Sequence, residues 1–153
     1  DYESNTSVIV ARMEDEILAG ALHPTGLFIV LCFRYFTRVY AVMPKALHLV
    51  EDINIKPAHE VRFSNGGGRI AFAVNNRVII CDAHTFRIVG GLIGHASNVK
   101  SIAFSGRDET ITTCDVAGII LCWDAATFER HPSQESSQKN LMFQQAFLDD
   151  ETG

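Results

Sequence analysis

A chain of 153 residues that is 47% hydrophobic holds enough apolar material for a sizeable core, and its length suggests one domain. Its net charge of -5, without any cluster of Lys or Arg, excludes a nucleic-acid backbone binder and leaves nothing to hold an anionic membrane surface. The longest apolar run, residues 27–33, is too short to cross a bilayer.

In chain order, residues 1–10 turn from polar to apolar at Val8-Ile9-Val10, which reads as the last strand of a preceding unit. The start at Asp1, with no signal-peptide pattern, reads as a start inside a longer protein. A charged connection follows over 12–16, then apolar residues 17–22. His23-Pro24-Thr25-Gly26 is a turn, because Pro fixes φ and Gly accepts a left-handed backbone. The continuous apolar run 27–33 predicts a strand buried on both faces. Residues 38–42 predict the next strand, which Pro44 stops. Residues 46–50 and 53–55 form an extended segment with Glu51 and Asp52 between. The pattern then restarts. Val61-Arg62-Phe63 alternates, 64–68 turns, and strands over 69–74 and 77–81 flank a turn at Asn75-Asn76. Residues 77–81 also suit a buried strand. A fourth strand holds Ile88-Val89 and Leu92-Ile93, broken by Gly90-Gly91. Three more β-prone runs cover 99–104, 110–114 and 119–123. The tail differs: 131–140 is a Pro/Ser/Gln-rich loop, 141–148 is apolar enough to begin a further unit, and Asp149-Asp150-Glu151 is a solvated acidic end.

The chain repeats itself. Residues 81–86 (CDAHTF) match 123–128 (WDAATF) at an offset of 42, and 61–64 (VRFS) match 102–105 (IAFS) at an offset of 41. Tyr40 lies 41 residues before Cys81, which lies 42 before Trp123. Several matches at nearly constant spacing define about three units, roughly 12–57, 58–97 and 98–130. No such unit buries both faces of its sheet alone, so stacking around an axis is the expected solution. The fold class read from this is all-β: a β-propeller of about three four-stranded antiparallel blades belonging to a larger ring.

Residues 94–124 show the unit best. They open with Gly94-His95, close with Trp123-Asp124, and resemble a repeat of the WD-repeat family of propeller scaffolds. The resemblance implies a buried hydrogen-bond chain of His95, a hydroxyl from Thr112 or Thr113, a turn aspartate and Trp123. The residue before Gly118 is Ala117 rather than Asp, so the chain is either interrupted or borrows Asp115. In the two earlier units Cys81 and Tyr40 stand where the tryptophan would be, and neither unit starts with Gly-His.

No catalytic constellation emerges. Residues 64–69 are glycine-rich but lack the Lys-Ser/Thr of a phosphate-binding loop, and no G-x-S-x-G elbow is present. The six histidines form no H-x-x-x-H pair, so no metal or other cofactor is expected. Cys32, Cys81, Cys114 and Cys122 make no C-x-x-C pair and read as small buried hydrophobes in a reducing compartment, with a disulfide framework or zinc site the less favoured alternative. The Asn5-Thr6-Ser7 sequon reads as chance.

A closer resemblance runs over residues 22 to about 130. It is carried by ALHPTG (21–26), RFSNGG (62–67), the following FAVNNRVII (72–80) and residues 90–99 around Gly94-His95. These are similar to the propeller region of a WD-repeat family of the ciliary and flagellar axoneme. That resemblance implies a non-enzymatic scaffold near the inner dynein arms on doublet microtubules. It implies contacts with inner-arm or regulatory-complex proteins and, less favoured for an acidic chain, with tubulin. Neither nucleic acid nor membrane is expected as a partner. The alternatives are a cytosolic WD-repeat adaptor of a ligase or trafficking complex and, less favoured, a propeller enzyme.

Overall fold

The computed structural model describes residues 16–131, and these form three antiparallel sheets. The first holds β1 (Ile17–Leu22), β2 (Phe28–Phe33), β3 (Thr37–Val42) and β4 (Leu47–Ile53). The second holds β5 (Glu60–Phe63), β6 (Arg69–Val74), β7 (Arg77–Asp82) and β8 (Ile88–Ile93). The third holds β9 (Val99–Phe104), β10 (Thr110–Asp115) and β11 (Ile120–Asp124). Strands pair in chain order within each sheet, as short turns dictate. Of the sheets' edge strands, β5 lies against β1 on one side and β9 on the other, so the sheets converge along one edge.

The sheets stack face to face, and strand periodicity decides which residues meet. In β6 every residue after Arg69 is buried. Ile70, Phe72 and Val74 face the first sheet, where they join Val30, Cys32, Val39 and Ile53. Ala71 and Ala73 face the third, where they join Ile102, Ile111, Leu121 and Trp123. Small residues on that face leave room for the indole opposite. Burying a side chain such as Phe72 stabilises by about 1.5–3 kcal/mol. Leu31, Phe33 and Tyr40 form a third apolar group on the far face of the first sheet.

Several sequence expectations need correction. β8 is continuous through Gly90 and Gly91. The glycines do not end the strand; they clear space, since a Cβ on Gly90 would lie 2.4 Å from the Phe128 ring. β4 runs unbroken through Glu51 and Asp52, whose side chains face solvent at an edge, and the strand ends at Ile53 rather than Ile55. Two-sided burial in β2 begins only at Val30. In β7 Arg77 is exposed and Ile79 half-buried, so β6, rather than β7, is the enclosed strand of its sheet. The third sheet has three strands among the described residues, with Arg130 bridging to Trp123. Cys114 and Cys122 are half-buried, unlike Cys32 and Cys81. They lie on the face of the third sheet that corresponds, at the repeat offset, to the Ala73 and Ile80 face of the second, and no sheet covers it among the described residues. The expectations for residues 8–10 and 141–148 fall outside the described residues.

Candidate functional site: a buried hydrogen-bond chain and the turns beside it

Four of the five candidate residues meet inside the third sheet. Strand alternation decides which threonine takes part. Ile111, Thr113 and Asp115 point inward from β10, whereas Thr112 points to the opposite, half-buried face with Cys122 beside it. Trp123 Nε1 donates to Thr113 Oγ1 at 2.9 Å. Thr113 Oγ1 lies 2.6 Å from His95 Nε2, and His95 Nδ1 lies 2.9 Å from Asp115 Oδ2. The aspartate therefore comes from Asp115, at the first position of the turn rather than the position before Gly118.

Donor chemistry sets the direction of the chain. An indole N–H only donates, and a carboxylate only accepts. With a neutral imidazole, this puts the His95 proton on Nδ1, and Thr113 donates its hydroxyl proton to Nε2 while accepting from Trp123. The other oxygen of Asp115, Oδ1, accepts the Ala117 and Ile119 amides at 2.9 and 3.0 Å. Burial pushes the Asp115 carboxyl up, but the Ile119 amide, His95 and the Ala117 amide outweigh it and hold the carboxyl below its ordinary value. Gly118, at φ 87°, closes the turn in a conformation that suits glycine.

The Gly-His pair has a packing cause. A Cβ on Gly94 would lie 2.7 Å from Arg130 Nη1 and 3.0 Å from Trp123 Cη2, so glycine lets the indole and the guanidinium close against the backbone there.

Hydroxyl, imidazole and carboxylate follow one another as in a nucleophilic triad. The Thr113 oxygen is engaged on both sides, and both side chains of the His95–Asp115 pair are only 1% exposed. In the core, burial pushes the Cys32 thiol up to about 12 and the Cys81 thiol up to about 11, so both are held in the neutral form. Among the described residues no group of three or more His, Cys, Asp or Glu side chains is placed to hold a metal ion, and no helix is long and apolar enough to cross a membrane.

A second set of contacts joins the sheets along one rim, and sequence reasoning missed it. The three equivalent turns link in series. His23 Nε2 donates to the Gly67 carbonyl at 3.0 Å, packed edge-on against Phe63. Asp108 accepts the Asn65 and Gly66 amides at 2.8 and 2.7 Å, and Asn65 Nδ2 donates to the Ser105 carbonyl at 2.6 Å. The only sequence signal was the common offset of the turns. A second repeated turn follows β7 and β11. Asp82 accepts the His84 and Thr85 amides, and Asp124 accepts those of Ala126 and Thr127. These amides, Thr85 and Thr127 foremost, hold both carboxyls below their ordinary value. Phe86 and Phe128 end these turns with φ of 60° and 65°.

Comparison with known proteins agrees with this architecture. No family profile matches the chain. It is 28% identical over 131 residues to cilia- and flagella-associated protein 57 of Mus musculus, an alignment covering 85% of the chain. It is 25% identical over 124 residues to cilia- and flagella-associated protein 57 A of Tetrahymena thermophila, and 28% identical over 140 residues to protein 57 C of the same organism. The chain spans 10% of the length of each of these relatives. The structures of U3-55K and of the RRP9 WD40 repeats superpose with a TM-score of 0.68, at 13% and 14% identity, over 77% of this chain and 38% of each of theirs. The chain thus has the fold of a WD-repeat β-propeller and resembles cilia- and flagella-associated protein 57 along most of its length.

Proposed function

We propose that the protein is a non-enzymatic scaffold of the ciliary or flagellar axoneme, its propeller holding other axonemal proteins near the inner dynein arms on doublet microtubules. The observation that carries this reading is the similarity to cilia- and flagella-associated protein 57 over 85% of the chain. The interior supports it: the chain from Trp123 to Asp115 spends its polar groups on one another and leaves recognition to the surface. Partners on this reading are inner-arm or regulatory-complex proteins, with tubulin a less favoured contact for an acidic chain.

The test is fractionation. Tagged full-length protein in ciliated cells should stay with the axoneme after detergent and salt extraction, and proximity labelling should mark inner-arm components. A freely soluble cytosolic pool, absent from cilia, would favour the adaptor alternative and overturn the proposal.

A further inference from the structure

Each sheet has an outer edge strand, and the edges of the first two differ. β4 carries Glu51 and Asp52, and Asp52 is held by Arg38 at 2.8 Å. Charges of this kind discourage a foreign strand from pairing. β8, with sequence IVGGLI, carries none. Its outer edge has no strand neighbour among the described residues. Three of its apolar side chains reach solvent: Ile88 is 55% exposed, Val89 44% and Ile93 73%. Past the bulge at Val89, the edge from Gly90 to Ile93 presents backbone N–H and C=O groups in register for another extended chain.

Two cations stand at the ends of β8, and the Asp82 carboxylate, whose residue's amide donates to the Arg87 carbonyl, is engaged by Arg69 and the His84 and Thr85 amides. Arg87 immediately precedes Ile88, and Arg77 lies opposite Ile93 on β7. Both are exposed, and neither guanidinium is in an ion pair among the described residues. Arg34, Arg38, Arg62 and Arg69, by contrast, each meet a carboxylate within 3.4 Å. Six residues of strand span about 20 Å. Two unpaired cations are therefore set about that far apart, bracketing an uncharged apolar edge.

We propose that the outer edge of β8 docks an extended segment of a partner protein, about six residues long, apolar on alternate positions and bounded at both ends by carboxylates. Main-chain hydrogen bonds to β8 supply the pairing, Ile88, Val89 and Ile93 the apolar contact, and Arg87 and Arg77 the register. This deepens the scaffold reading and rests on it only for the partner's being a protein.

The test uses purified full-length protein and a fluorescein-labelled synthetic peptide, six alternating valines and threonines between glutamates, followed by fluorescence anisotropy. The expected result is saturable binding that falls at least tenfold with Val89→Lys combined with Ile93→Lys. Arg77→Glu with Arg87→Glu should weaken this peptide and favour its lysine-flanked counterpart. A peptide with proline at alternate positions should not bind. All variants should keep the wild-type melting curve, since these side chains are exposed. The proposal is overturned by absence of saturable binding, by variants that bind as wild type, by equal binding of the proline peptide, or by a homodimer formed through β8 in place of peptide binding. Peptide binding is measured without reference to cilia, so intact binding with failed axonemal retention would remove the ciliary reading and leave the docking edge standing.

Discussion

Asp115 Oδ2 stands 2.9 Å from His95 Nδ1 although the two residues are 20 apart in the chain. The contact ties the connection before β9 to the turn after β10, and it fixes the imidazole so that Nε2 is free to accept from Thr113. Because the Asp115 carboxyl is held below its ordinary value of 3.8, it adds stability that is present above that value and lost as pH falls through the lower folded-state value. Asp115→Asn should therefore lower the urea midpoint at pH 7. The gap to wild type should narrow once the pH drops below about 4. Denaturation midpoints of both proteins across the acid range check this; a gap independent of pH would contradict it.

Trp123 is 2% exposed and donates into the same chain. Trp123→Ala should cost about 3–5 kcal/mol through the cavity it leaves. Trp123→Phe should cost less, because only part of the volume and one hydrogen bond are lost. Equilibrium denaturation orders the two, and an unchanged midpoint for the alanine variant would show that the indole is not a packing element.

Gly67 and His23 form a different kind of pair. Gly67 sits at φ 80°, and a Cβ there would lie 2.5 Å from His23 Nε2. Gly67→Ala should cost about 1–3 kcal/mol, part from the backbone and part from the collision. In a His23→Ala background the collision disappears and the backbone part remains, so the second cost should be smaller. Equal costs in both backgrounds would mean that the imidazole does not press on Gly67.

Asp108 accepts two amides from the neighbouring turn. Asp108→Ala should reduce stability by about 1–2 kcal/mol. The readout specific to the latch is hydrogen exchange: the Asn65 and Gly66 amides should lose protection more than those of β6. Uniform loss across the second sheet would assign Asp108 a global role instead.

The repeat made the architecture readable, because a spacing near 41 residues survives even where signature residues do not. Tyr40 and Cys81 replace the tryptophan, yet each is buried on the same face of its sheet as Trp123, toward the preceding side of the stack. What sequence alone left open were questions of direction. Thr112 and Thr113 are adjacent and chemically alike, and only strand alternation separates the inward from the outward hydroxyl. Asp115 or an interrupted chain could not be decided without the turn geometry that brings Oδ2 to His95. The glycines of β8 look like breakers until Phe128, 38 positions beyond Gly90, takes the space they leave. The rim contacts of His23 and Asp108 lie between units, where a periodic pattern predicts proximity and no particular bond.

On the proposed scaffold reading, the buried chain is framework and the partner-binding groups lie on the surface. Thr113→Val removes the hydroxyl while nearly keeping the shape, so it breaks the link between Trp123 and His95 with little loss of volume. The most direct measurement is axonemal retention of this variant at a temperature where circular dichroism shows it folded. Retention equal to wild type is the predicted result. A folded Thr113→Val protein that washes out of the axoneme would contradict the claim.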